Sequence, residues 1–471
     1  MVKGSLLRLA LAGVPAALPT AFLWPGQAYA QAPAATPLTL PDALDYARTH
    51  YPSVRAALAQ KVAADRDVDL ARTAYLPQVN LLYQINRATL NNITGMLLPQ
   101  SVIPSQSGPV LPRSSDSAWN SGAGALVSWR PFDFGYRAAK VDAAQAADAA
   151  AAQAAALSEL DVLSATSDAY LNLAAAQSLA ATAEANQTRL KAFAGAVHAL
   201  VDNTLRPGVE AQQAEAAEGL AETALIQARA NVENQKAVLA VLVGRQPQTV
   251  AIDAAPLQAL PPETARAEPG SMNSHPAAQA AAARVRQQSA EVSAAGSQYA
   301  PQFDVIGSAY SRGSGKTPAG AYTGGDAGLA PGVSNWAVGL QVTVPLGSFP
   351  ALRAQQAGQK ARLDAEQARY QQTLDDLAVR LAQARTGLDS ARAIARVTPV
   401  ALEAARQSEA QQRARFQSGL ATVVDVTTAE AALAQAESQD SIARLNVWRA
   451  LAGLAAAEGD MGPFRKILSP Q

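Results

Sequence analysis

"AYLPQVNLLYQ", residues 74–84, carries the chain from a helical pattern into an alternating one, and "QYAPQFDVIGS", residues 298–308, repeats the transition. Tyr75 and Pro77 recur as Tyr299 and Pro301. Proline lacks a backbone donor and clashes with the preceding turn, so each one stops the helix that leads to it. After Pro77, residues Val79, Leu81, Tyr83 and Ile85 share one face and Asn80, Gln84 and Asn86 the other. After Pro301, residues Phe303, Val305 and Ala309 face away from Asp304 and Ser308. Both runs have the period of two that marks a strand with unlike faces.

The repetition extends well beyond this phrase. Pro52 precedes the first helix as Pro276 precedes the second, and "GALVSWRPFDFG" (124–135) parallels "GLQVTVPLG" (339–347). Further on, "VEAQQAEA" (209–216) parallels "VDVTTAEA" (424–431), and the runs closing at Gly244 and Gly459 correspond. The chain is therefore a duplicated unit of roughly 200 residues, not a solenoid with a period of roughly 20–50. Each unit reads helix, strand, loop, strand, long helix, helix. Strands are predicted at about 78–89, 118–130, 302–312 and 334–344, and helices at 53–75, 136–203, 209–243, 276–299, 351–417 and 422–457. The long helices are rich in alanine, the strongest helix former, and each reaches roughly 100 Å. Pro399 is expected to kink the second of them.

The return strands alternate too. Ala123, Ala125, Val127 and Trp129 oppose Gly122, Gly124 and Ser128, and Trp336, Val338, Leu340, Val342 and Val344 oppose Ala337, Gly339, Gln341 and Thr343. Runs of this length can cross a bilayer at a tilt. Trp119 and Trp336 fall near loop ends and Trp129 near a helix end, as interfacial aromatics do. The loops at 90–116 and 313–333 are long and rich in Gly, Pro and Ser. Four strands cannot close a membrane barrel, and open edges are not tolerated in lipid. Two or three copies would have to combine, three giving twelve strands. The soluble alternative is a pair of half-buried hairpins packed on the helices.

Composition sets further bounds. The 471 residues hold 38 Lys plus Arg against 38 Asp plus Glu, which argues against nucleic acid as a partner. Residues 1–30 read as a cleaved signal peptide: Lys3 and Arg8, an apolar run from Leu9 to Leu23, and Ala28-Tyr29-Ala30. There is no cysteine, hence no disulfide and no lipidated N-terminal cysteine. The three histidines, His50, His198 and His275, show no metal-ligand spacing, and no phosphate loop or nucleophile elbow occurs. No catalytic, metal or cofactor site is predicted. His50 and His275 read as local structural residues ahead of Pro52 and Pro276, and Glu159 and Asp161 as a solvated face.

In this order, and twice over, these features resemble the TolC-type outer-membrane factor family. They are the signal peptide, the duplicated unit, Tyr-x-Pro ahead of each hairpin, "SWRPFDFG" ahead of the first long helix, and "RFQSGLATVVDVTTAEAAL" (415–433). The resemblance implies a mainly α protein with a transmembrane β part, built from two structural repeats, 31–244 and 273–459. It implies a homotrimer with a long α-helical barrel and a twelve-stranded outer-membrane β-barrel. The linker 245–272 and tail 460–471 would form an equatorial belt near Pro399. Pro77, Pro131, Pro301 and Pro345 would mark the helix–strand junctions.

By the same resemblance the chain is a passive exit channel of an efflux pump or secretion system. It would dock on a periplasmic adaptor (membrane fusion protein) and a proton-driven or ATP-driven inner-membrane pump. The turn around Gly419 would be the periplasmic tip, with Gly419 accepting the left-handed conformation and Thr422 capping the next helix. Asp425 matches the first of two ringed aspartates, and Thr428 stands at the second. Glu210 is the repeat equivalent, on a turn where Thr204 replaces the expected glycine and Pro207-Gly208 enters the cap. Phe416 and Ala421 replace a tyrosine and an arginine that help hold the family's closed state, so packing of Leu420 with Phe416 is one candidate substitute. The rival function is a periplasmic coiled-coil adaptor or spacer, which needs no spanning strands.

Overall fold

The computed structural model describes residues 37–89, 96–105, 116–262, 272–317, 319 and 321–468. The predicted signal peptide lies outside them, as do parts of both long loops, of the linker and of the tail. The helices are α1 (Leu40–His50), α2 (Pro52–Thr73), α3 (Tyr136–Asp202), α4 (Gly208–Leu242), α5 (Pro276–Ser297), α6 (Phe349–Gln417), α7 (Val423–Glu458) and α8 (Gly462–Leu468). The strands are β1 (Gln78–Thr89), β2 (Ser117–Phe132), β3 (Gln302–Ser314) and β4 (Val333–Thr343). Helix α1 was not expected. Its signal was present, because Thr39 caps it and Asp42, three residues on, accepts the Thr39 hydroxyl at 2.6 Å.

Both duplicated units build the same arrangement. Helices α2 and α4 pack along α3, and α5 and α7 pack along α6. The units join because α5 and α7 also pack on α3. The largest core lies where α3 (Leu160 to Ala174) meets α7 (Ala443 to Ala455). Leu38, Leu40 and Leu44 near α1, Val250 and Leu257 of the linker, and Met461 and Phe464 near the C-terminus close over it. The Tyr170 hydroxyl donates to the carbonyls of Leu38 (2.8 Å) and Asp253 (2.9 Å), and the Trp448 indole to Ala259 (2.9 Å). Linker and tail thus meet against the middle of α3 and the second half of α7. Helix α6 continues through Pro399, where the Thr398 hydroxyl donates to Asp440 at 2.9 Å.

The four strands form one antiparallel meander in the order β1-β2-β3-β4. Its register aligns the alternation of every strand. Val79, Val127, Gly307 and Val338 lie in one row, and Leu81, Ala125, Ala309 and Trp336 in the next. That face is bare: Leu340 is 84% exposed, Leu81 79% and Trp336 78%. Among the described residues no helix covers it, so the soluble alternative of hairpins packed on helices is not the fold. Strand β2 passes Pro131 and ends at Phe132, with an irregular register between Trp129 and Phe132. A proline without its donor is confined to such an irregularity. Among the described residues no helix is long and apolar enough to cross a membrane.

His275 caps α5 as expected of a structural residue. Its Nδ1 accepts from the Ala277 N–H (3.0 Å), and Nε2 lies 3.2 Å from the Ala456 carbonyl at the end of α7. His50 instead ends α1, stacked on Tyr46. Burial lowers the His275 pKa from its usual value, so the ring is neutral at neutral pH. Its folded pKa lies below the unfolded one, so its contribution is complete above about pH 6.5 and is lost as pH falls through the folded value. His275→Ala is expected to cost about 1–2 kcal/mol at pH 7.5. The difference in thermal midpoint from the parent should shrink towards pH 5, and a constant difference would exclude this role.

Candidate functional site

Two places gather the predicted residues. The first is the joint between helices and sheet. The Asp133 carboxylate accepts from the N–H groups of Gly135 (3.2 Å) and Arg137 (3.1 Å), satisfying orphan donors at the start of α3. Those bonds require a tight reversal, taken by Phe134 and Gly135 at φ 51° and 91°. Arg137 pairs with Asp133 at 2.6 Å, donates to the Ala74 carbonyl (3.2 Å), and stacks over the Tyr75 ring at 4.5 Å. Trp129 donates its indole N–H to the Tyr75 carbonyl at 3.1 Å. Tyr75 thus holds the end of α2, the end of β2 and the start of α3 together, and Pro77 and Pro301 each stand one residue before a strand.

The second unit's joint is apolar, with Tyr299 packed on Phe349 at 5.5 Å. Phe132, Phe134 and Phe303 cluster between the two joints, a trio not singled out from the sequence. Pro345 follows β4 by two residues. Of the three tryptophans expected at the interfaces, Trp336 and Trp129 are exposed on the bare face, and Trp119 lies under the Arg87 guanidinium at 5.7 Å.

The second place is the tip, where α3 turns into α4 and α6 into α7. Both turns close by the same pair of hydrogen bonds. Leu420 and Gly419 donate to Arg415 and Phe416, and Leu205 and Thr204 donate to Leu200 and Val201. This is the Schellman pattern, which needs one left-handed residue. Gly419 supplies it at φ 77°, and Thr204 adopts it at φ 58° despite its side chain.

Beyond the turns the repeats differ. Thr422 and Asp425 form a reciprocal capping box: the Thr422 N–H and hydroxyl both donate to Asp425 Oδ2 at 2.8 Å. The Thr422 backbone bond, then its hydroxyl, holds the Asp425 pKa below the usual carboxylate value. Asp425 and Thr428 lie on one exposed face. At the equivalent cap Pro207 has neither hydroxyl nor N–H, and Glu210 pairs with Arg206 at 3.5 Å. Phe416 is buried at 5% exposure and packs edge-on against Phe193 at 5.1 Å, whereas Leu420 is 70% exposed. Within one chain Phe416 is therefore packed inward and Leu420 lies at the surface. Arg206 lies 4.7 Å over the Phe416 ring instead and donates to its carbonyl at 3.1 Å.

Two helical turns further along α7 lies a charge cluster that the sequence reading missed. Glu430 is fully buried and accepts from Arg189 of α3 (2.9 Å) and from Arg413 of α6. Arg189 also reaches Glu437 (3.1 Å), and Arg413 reaches Glu409 (2.6 Å). Burial, then the neighbouring Glu409, pushes the Glu430 pKa up, and the two guanidiniums oppose the rise. Among the described residues no group of His, Asp or Glu could hold a metal ion.

The comparisons with known proteins agree with this layout. Residues 43–245 and 271–460 match the outer membrane efflux protein family, both units included. The chain belongs to that family. Membership assigns it to the outer membrane and to efflux. No curated protein sequence matches it. Its fold is similar to that of the outer membrane protein VceC from Vibrio cholerae (20% identity, TM-score 0.71, covering 89% of this chain and 96% of that one). The CmeC outer membrane channel of Campylobacter jejuni (16%, 0.71, 89% and 85%) and the open-state MtrE outer membrane channel of Neisseria gonorrhoeae (21%, 0.70, 89% and 89%) are similar too. Both of these neighbours are outer membrane channels.

The Glu430 cluster ties the two helix pairs together just behind the tip. Glu430→Ala is expected to cost about 2–3 kcal/mol, less than the loss of a wholly enclosed pair, because Arg189 and Arg413 keep second partners and some solvent. Denaturant titration of the detergent-extracted protein measures this, and a loss below about 0.5 kcal/mol, the level of an ordinary surface change, would assign the cluster no structural weight.

Proposed function

We propose that the chain is one protomer of a homotrimeric outer-membrane exit channel that conducts passively from a periplasmic adaptor and inner-membrane pump to the exterior. The observation that carries this reading is the four-stranded sheet. It has a bare apolar face and two open edges, β1 and β4, and it is set on helices of 67 and 69 residues. An adaptor or spacer has no use for such a sheet.

Three copies pairing β4 of one with β1 of the next give twelve strands and leave no edge in lipid. The bare face then meets the acyl chains, with Trp119, Trp129 and Trp336 as interfacial residues and Pro77, Pro131, Pro301 and Pro345 marking the boundary. The helices supply matching unpartnered faces. Helix α6 leaves Val379, Ile394, Val397 and Val400 exposed, and α4 leaves Leu220, Ile226, Val238 and Val241. In this arrangement the helices extend from the barrel into the periplasm.

At the tip, three Asp425 carboxylates related by symmetry form a ring that attracts cations and disfavours anions. Glu210 brings a charge already balanced by Arg206. Detergent-extracted protein is expected to insert into planar bilayers as ion-conducting trimers; a soluble protein recovered from periplasm without conductance would overturn the channel. Asp425→Ala is expected to weaken cation selectivity or block by multivalent cations, and unchanged conductance and block would remove the ring.

A further inference from the structure

The face of the sheet opposite the lipid is not empty. Residues 96–105, between β1 and β2, fold back across it. Ile103 and Val102 are buried there with Tyr310, and Leu82, Leu97 and Leu126 pack around them. The sheet provides a seat. A side-chain carbon at Gly122 would fall 2.9 Å from Leu97 Cδ1 and 3.0 Å from Ile103 Cδ1, and one at Gly124 would fall 3.2 Å from Ile103 Cγ1. The segment is also tied by polar bonds. Asn86 of β1 donates to the Met96 carbonyl at 3.0 Å, and Gln100 Oε1 accepts from the N–H groups of Val102 (2.6 Å) and Ile103 (2.7 Å). Met96 and Leu98 remain exposed.

We propose that residues 96–105 are a strap fixed to the lumenal face of the barrel, which narrows the outer exit and gives it an apolar rim of Met96 and Leu98. This rests on the orientation argued under the proposed function. A barrel of twelve tilted strands is roughly 25 Å across at its backbone. Three straps packed inward leave passage for small, apolar molecules and exclude folded proteins. The exit thus sorts cargo by size, independently of the periplasmic tip.

The chain lacks cysteine, so single introduced thiols report access directly. Gln341 and Leu340 are neighbours on opposite faces of β4. In intact cells, Gln341→Cys is labelled from outside by a bulky, membrane-impermeant maleimide only after the reagent passes the strap. Gly122→Val places a side chain directly against Leu97 and Ile103, and Leu97→Ser with Ile103→Ser removes the anchors without touching the sheet. Either change is expected to speed labelling of Gln341→Cys about tenfold, the factor by which a loosened contact of this size shifts an equilibrium. Equal rates in all three backgrounds would overturn the strap. Labelling of Leu340→Cys by the same reagent would overturn the orientation itself, and the strap with it.

Discussion

A backbone amide or carbonyl inside a bilayer must find a partner within the protein, because no water is there to replace it. The meander of β1 to β4 satisfies its inner pairs and leaves one strand at each side without a neighbour. The alternation of Leu81, Val127, Val338 and Leu340 commits the bare face to lipid. Those two facts together leave no stable single-chain answer. Duplication does not solve the problem; it doubles the arc that each protomer supplies. The same need for copies explains why α6 buries little beyond Leu377, Leu388, Ala391, Ala395, Leu402 and Phe416 while an apolar set stays open beside them.

A wall that is sheet at one end and helix at the other must change backbone geometry without leaving polar groups unpaired. The first unit meets this with charge and aromatic stacking: Asp133 caps α3, Arg137 crosses to the Ala74 carbonyl, and Trp129 takes the Tyr75 carbonyl. The second unit uses Tyr299 against Phe349. One joint rests on directional bonds and the other on an aromatic pair, with Arg130 of β2 paired to Asp304 of β3 at 2.7 Å between them. The Phe132, Phe134 and Phe303 cluster couples them, so the two strand pairs enter the membrane as one sheet rather than as separate hairpins.

Legibility in the sequence followed the range of the interactions. Period-two alternation and Tyr-x-Pro are local, and they located all four strands to within about two residues, the usual spread of boundary definitions. Helix α1 was legible as well, in Thr39 and Asp42, but it is short and its apolar face is buried by distant elements: α3, the linker and α8, with α2 beside it. Glu430, Arg189 and Arg413 stand on three helices whose lateral packing no single-chain periodicity encodes, so their meeting was invisible. Residues 90–116 read simply as a long loop rich in Gly, Pro and Ser. Val102 and Ile103 sit within it, and only the register of Gly122 and Gly124 shows that they have a seat.

The tip shows why a capping role and a ring role for Asp425 need not compete. A carboxylate that merely lined a pore beside two copies of itself would meet like charges, which raise its pKa and discharge it. The capping box works in the opposite direction. Donors from Thr422 hold Asp425 below the usual carboxylate value and use Oδ2 alone, so the group stays ionised and its direction is fixed by the helix it begins. At the equivalent turn Pro207 cannot donate, and Glu210 is neutralised by Arg206, which also braces Phe416. The two halves of the duplication have therefore divided the work at the tip. One holds the turn together, and the other presents the charge.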